Sequence, residues 1–154
     1  MQELSPISSL NKLGYSCLES IKKTNSVSLH VRRGDYLNLK NIGVLDVDYY
    51  TKAVEYIRKN VENPTFYIFS DDLEWCKNSL GFLDDFIFVD RTQTEIGDLK
   101  LMSFCRHNII ANSSFSWWSA WLNQNPKKIV IAPKGWLLND PGSNKVILSD
   151  WVKF

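Results

Sequence analysis

Two adjacent guanidinium groups, Arg32 and Arg33, stand just behind the apolar run Val27-Ser28-Leu29 and are followed by Gly34 and Asp35. A rigid, permanently charged fork of donors suits an anionic ligand, and a pair of them suits a diphosphate. Position matters as much as type. Charges placed where a buried strand leaves a sheet sit in the crevice where α/β proteins bind ligands. Plainer readings stand beside this one. Gly34-Asp35 alone is an ordinary turn pair, and strand-end arginines often serve as surface ion-pair partners. Arg33-Gly34-Asp35 is formally an adhesion tripeptide, too short to carry weight.

Three further groups could share the same ligand. Asn112-Ser113-Ser114-Phe115-Ser116 opens an apolar helical run, and free N–H groups with hydroxyls at a helix start suit a phosphate. Ordinary N-capping by Ser113 or Ser114 uses the same atoms. Ser70-Asp71-Asp72 could cap a helix, bind ribose hydroxyls, hold a divalent ion or act as a phospho-acceptor pair, with capping the default. Asp98 falls near the start of another helix. His107, beside Arg106 at a helix end, reads as a C-terminal cap rather than a catalyst. The tryptophans Trp117, Trp118 and Trp121 read as packing rather than a stacking platform for bases. Neither a Gly-x-x-x-x-Gly-Lys nor a Gly-x-Gly-x-x-Gly run is present, which disfavours the usual P-loop and dinucleotide motifs.

The elements that must position these groups alternate regularly. Helical patterns are expected at about 8–24, from an Asp46 cap to about 61, from Ser70-Asp71-Asp72 to about 78, and at 96–105 and 114–123. Strands are expected at 27–31, 65–69, 86–89, 108–111 and 128–132, with a short element near 146–148. Strands alternating with helices imply a parallel sheet covered on both faces, a Rossmann-like α/β domain over residues 1–154. Its strands read as apolar runs without alternation. On that topology the residues 30–35, 70–72, 98 and 112–116 all converge on the edge where strands end and helices begin.

Bulk composition narrows the function classes. The chain has 154 residues, enough for one good core, and its net charge of +1 excludes a general polyanion binder, so no nucleic-acid partner is expected. Cys17, Cys76 and Cys105 are far apart and odd in number, without metal-ligand spacing or a disulfide framework. Reduced thiols and a cytoplasmic setting follow, with association at a membrane surface left open. No signal pattern or transmembrane run is expected.

His30-Val31-Arg32-Arg33-Gly34-Asp35-Tyr36, Ser70-Asp71-Asp72, Asp98-Leu99-Lys100-Leu101-Met102-Ser103, 109–118 and Ile131-Ala132-Pro133-Lys134-Gly135-Trp136 stand in order at fitting distances. Together they resemble the α-1,2-fucosyltransferase family, glycosyltransferase family 11. The resemblance implies the C-terminal, donor-binding lobe of a two-lobed GT-B-type enzyme. The family's glycine-rich N-terminal opening and acceptor lobe are absent, so this chain alone is expected to be inactive.

The resemblance also implies an inverting transfer of L-fucose from GDP-β-L-fucose to a galactose hydroxyl of a glycan acceptor. It needs no metal or other cofactor. Arg32 and Arg33 would flank the diphosphate, with Arg32 the direct contact, and His30 would line the nucleotide pocket, a role its backbone alone could fill. Asp98 would pair with guanine, Ser113, Ser114 or Ser116 would sit near the β-phosphate, and Asn112 belongs to the substrate-binding set. Asp71 joins the donor-binding set. Asp35 is the one carboxylate beside the arginines and so the candidate base, although such carboxylates are poor bases and a loop-orienting or acceptor-binding role stays open. The alternatives are a non-catalytic nucleotide-binding or scaffold domain, and a receiver-like domain acting through Asp71 or Asp72.

Overall fold

Among the described residues, four of the five α-helices begin where a short polar side chain can accept from an N–H of the first turn. In the computed structural model, which describes residues 10–89 and 94–154, Asn11 caps α1 (Lys12–Lys23) and Asp46 caps α2 (Val47–Asn60). Asp72 caps α3 (Leu73–Ser79), and Thr94 caps α4 (Glu95–Phe104). The fifth, α5 (Ser114–Leu122), follows Ser113, whose side chain makes no capping bond. The expected start of the first helix near residue 8 lies outside the described residues. Basic residues close α1 and α2 at their C-termini, Lys22-Lys23 and Arg58-Lys59, where the helix dipole favours them.

Between the helices run β1 (Asn25–Val31), β2 (Pro64–Ser70), β3 (Phe86–Phe88), β4 (His107–Ile109), β5 (Val130–Ala132) and β6 (Val152–Lys153). They form one parallel sheet in the order β3-β2-β1-β4-β5-β6. This is the doubly wound order in which the winding reverses between β1 and β4. It differs from the receiver order, so the receiver-like alternative falls on topology. Val27, Leu29 and Val31 pack with Phe66, Ile68 and the buried face of α2, Tyr50, Ala53, Val54 and Ile57. Tyr67 and Phe69 point the other way, onto Leu18 and Ile21 of α1 and Leu101 and Met102 of α4. Helices therefore cover both faces. Among the described residues no helix is long and apolar enough to cross a membrane.

Two expectations need correction. β1 is not an unalternating apolar run: Ser26, Ser28 and His30 alternate with its aliphatics and are just as buried. The two serines are tolerated because polar partners meet them, Ser26 Oγ accepting from Arg106 N–H and Ser28 Oγ from Asn108 Nδ2. The chain end is also more regular than its sequence suggests. Pro141–Val146 forms a 3-10 turn, and β6 adds a sixth strand beside β5. Two residues are too few to show a period.

His107 is not a helix cap. It opens β4, where its Nδ1 accepts from Ile129 N–H at 3.0 Å. A cation does close a different helix: at the C-terminus of α5, Lys128 Nζ donates to Ala120 O at 2.7 Å and Asn123 O at 2.9 Å. Lys128→Met keeps the alkyl stem and removes these bonds. It is expected to lower unfolding free energy by about 1–2 kcal/mol, checked by urea denaturation. No change would mean that water closes the helix equally well.

Candidate functional site

Where β1 and β4 part company, their C-terminal ends open a cleft of about 500 Å3. β1 and the loop behind it supply His30, Arg32 and Tyr36, and the end of β2 with the residue after it supplies Phe69, Ser70 and Asp71. Glu95 and Asp98 come from the first turn of α4, and Ser113, Ser114 and Phe115 from the start of α5. Four sequence segments predicted from topology thus meet at one place. A larger cavity, about 680 Å3 between α4 and α5, has a mainly apolar lining that includes Ile96, Leu99, Phe104, Trp118 and Leu122. It gathers no comparable set of convergent polar groups, the mark of a ligand site.

Arg32 is the sole cation lining the cleft among the described residues. Its Nη2 meets Asp35 Oδ1 at 2.9 Å, its Nε lies 3.5 Å from Asp71 Oδ2, and its guanidinium stands 5.3 Å from the Tyr36 ring centre. Burial works against the charge, but the Asp35 bond and the two carboxylates outweigh it and leave Arg32 more firmly protonated than usual. The two partners differ in character. Asp35 is a local partner whose side chain is 58% exposed, whereas Asp71 reaches across from β2 and is 15% exposed.

His30 forms part of the cleft wall, its ring tilted against Phe115 with centroids 5.6 Å apart. Its carbonyl accepts from Tyr50 Oη at 3.1 Å. Burial, with the Arg32 charge beside it, pulls the imidazole down to about 3, which keeps it neutral. Nδ1 is buried without a hydrogen-bond partner. Opposite, the first turn of α5 meets the cleft without a capping side chain, so capping by Ser113 or Ser114 is not what these residues do. Helix-start N–H groups left this way form a ready anion site.

Three sequence-predicted residues are turned elsewhere. The Arg33 guanidinium lies 4.2 Å from the Trp75 ring centre, with its Nε 3.6 Å from Asp72 Oδ2. That stacked, ion-paired seat braces α3, and it leaves Arg33 outside the cleft lining. Ser116 is fully buried; its Oγ accepts from Ala111 N–H at 3.2 Å and stitches α5 to the end of β4. Asn112 ties loops together, Nδ2 donating to Gly43 O at 2.9 Å and Trp136 O at 3.2 Å.

Sequence reasoning gave no role to Tyr36, Phe69, Glu95 or Phe115. Tyr36, Phe69 and Phe115 lie in or beside a motif and Glu95 lies three residues before Asp98, and strand-end position alone would have pointed to Phe69. Asp98 is half-buried, on the cleft side of α4, and close enough to Cys17 to help burial push that thiol up to about 11. Among the described residues no three His, Cys, Asp or Glu side chains converge as a metal site would require.

A family model described as glycosyl transferase family 11 matches residues 4–154. An Escherichia coli O-antigen biosynthesis glycosyltransferase, WbnK, is 39% identical over 85% of this chain and 45% of its own length. An Escherichia coli alpha-1,2-colitosyltransferase is 44% identical over 75% of this chain and 42% of its own. Human galactoside alpha-(1,2)-fucosyltransferase 1 is 35% identical over 62% of this chain and 28% of its own. The chain therefore spans less than half the length of these relatives. Among solved structures, NodZ alpha-1,6-fucosyltransferase soaked with GDP-fucose matches with a TM-score of 0.53 at 15% identity. That match covers 79% of this chain and 45% of NodZ, a likeness of fold.

Proposed function

Because the chain belongs to glycosyl transferase family 11, we propose that it is the donor-binding lobe of an inverting α-1,2-fucosyltransferase. In this reading it forms one domain, binds GDP-β-L-fucose, and is inactive without an acceptor-binding lobe of the kind its longer relatives have room for. The observation that carries it is the pairing of Arg32 with the uncapped start of α5 across one cleft. That pairing presents a fixed cation and free backbone N–H groups where a diphosphate would lie.

The chemistry then follows from charge. The galactose 2-hydroxyl attacks the anomeric carbon, its C–O bond forms as the bond to the β-phosphate oxygen breaks, and GDP departs with the electron pair. Charge builds on the leaving diphosphate in the transition state, so a preorganised guanidinium lowers the barrier more than it tightens substrate binding. The reading invokes no metal. Asp35, ion-paired with Arg32 and more than half exposed, is the carboxylate this reading assigns to take the hydroxyl proton. Ser113 and Ser114 adjoin the phosphates. Glu95 and Asp98, together on the first turn of α4, offer acceptors to the N1 and N2 donors of guanine.

The donor sugar has a second reading. The relative at 44% identity is named for colitose, which is L-fucose lacking the 3-hydroxyl, and both sugars would present the same diphosphate. Differential scanning fluorimetry of the chain with GDP, ADP and GMP tests the nucleotide. GDP is expected to raise the melting temperature by several degrees and ADP by clearly less. Equal shifts for GDP and ADP would remove the guanine assignment, and no shift at millimolar GDP would remove the donor site. Transfer to a galactoside after adding an acceptor lobe in trans separates an enzyme half from a nucleotide-binding scaffold. Comparing GDP-fucose with its 3-deoxy analogue then separates the two sugars.

A further inference from the structure

Three consecutive residues of the arginine loop are keyed to one carboxylate from another strand. Asp71 stands just beyond the last residue of β2, Ser70, which pairs in register with Val31 at the end of β1. Its Oδ1 accepts from Arg33 N–H at 2.9 Å, and its Oδ2 lies 3.5 Å from Arg32 Nε, an ion-pair approach that leaves this buried Nε–H without a hydrogen-bond partner. A Cβ added at Gly34 would run into Asp71 Oδ2, so the loop needs glycine there for this close approach. The backbone at 33, the side chain at 32 and the bare Cα at 34 thus all fit around a single side chain.

We propose that Asp71 is a positioning residue for the donor's diphosphate, one that fixes the Nε edge of Arg32 and the backbone behind it rather than touching the ligand. The inference rests on the donor-site reading above. A carboxylate so near a phosphate-binding arginine would seem to work against it, since it offsets the charge the anion needs. Its placement resolves this. Asp71 meets the Nε edge, while the Nη2 group is held by the exposed, local Asp35. A guanidinium whose buried Nε edge faces a fixed opposite charge keeps its remaining donors aimed and loses less side-chain entropy when the ligand arrives. Asp35 is then the partner a diphosphate displaces, and Asp71 the one that stays.

Asp71→Asn separates these roles, because the amide keeps an acceptor for Arg33 N–H but loses the charge facing Arg32. Isothermal titration with GDP and GMP is the first measurement. GDP affinity is expected to fall at least tenfold, GMP affinity to change by less than twofold, and the melting temperature to stay close to that of the parent chain. Parallel loss for both nucleotides would mean that Asp71 contacts ribose or that the variant is damaged, and would overturn the proposal. Unchanged or tighter GDP binding would also overturn it, since the carboxylate would then do nothing or merely oppose the anion.

The Arg32 side-chain Nε–Hε NMR signal, assigned by its loss in Arg32→Lys, supplies a readout that needs no nucleotide. It should be resolved and slow to exchange in the parent chain and join the solvent-exposed arginines in Asp71→Asn. An Arg32 signal already averaged in the parent chain would overturn the positioning role. An ordered signal in a parent chain that ignores GDP would sink the donor reading while leaving the Asp71 anchor standing. Gly34→Ala reaches the same contact from the other side and should reproduce the GDP-selective loss without adding to it in the double variant. Full additivity would count against a shared role.

Discussion

Replacing Arg32 by alanine is expected to weaken GDP binding about 100-fold, about 2.7 kcal/mol, while GMP affinity falls far less. The magnitude follows from what is lost: a charge-assisted, two-donor contact to a diphosphate from the single cation lining the cleft among the described residues. Arg33→Ala should behave in the opposite way. Its guanidinium is spent on Trp75 and Asp72, so GDP affinity should stay within about threefold, and the melting temperature should drop as a contact worth about 1 kcal/mol disappears. Arg32→Lys should recover only part of the binding, because a point charge on a flexible stem cannot replace a fork already held by Asp71. Calorimetry on the three variants decides the matter. Equal GDP losses at positions 32 and 33 would show that the adjacent arginines act as one cluster, against the division of labour that the geometry describes.

That division marks where sequence reading stops. The parallel sheet, its helices and the convergence of the segments 30–35, 70–72, 98 and 112–116 on one edge were legible. Caps, spacing and strand–helix alternation are local signals, and they determine the edge topologically. The direction in which each side chain leaves that edge was not. Arg32 and Arg33 are neighbours of one type, and only the facing Trp75 and Asp72, about forty residues away, turn the second into a brace. Ser116 reads like Ser113 and Ser114, yet one helical turn carries it under Ala111. Asn112 has the composition of a phosphate loop and serves as a strap to Gly43 and Trp136. His107 looked like a helix cap because β4 begins only three residues after α4 ends, too short an interval for any period to register. Apart from Ser116, whose partner lies five residues back, each of these depends on a partner far away in sequence. Asp71 is the counter-case, ambiguous among four roles in the sequence and explained by the contacts it makes to the arginine loop.

The largest effect on stability should come from acid, through histidine. The chain has two histidines, and both are held below the ordinary range. Burial beside Arg32 takes His30 down to about 3, and burial with Arg106 nearby lowers His107. A histidine that stays neutral when folded but titrates near 6.5 when unfolded gives the unfolded state more bound protons as pH falls. Stability is therefore complete above about pH 6.5 and declines below it, down to the folded value near 3. For His30 alone, the difference between pH 7 and pH 5 amounts to about 2 kcal/mol, and His107 pushes the same way. Carboxylates ordinarily titrate below this interval, so pH 5–7 isolates the imidazoles. Urea unfolding across that range should show a falling midpoint in the parent chain and a flatter one in His30→Gln, which replaces the ring with a side chain that cannot charge. The slope lost by His30→Gln measures the His30 share directly. If that variant kept the full parent slope, the His30 imidazole would have to be free to protonate in the folded protein, and a neutral ring between Arg32 and Phe115 could not form the cleft wall.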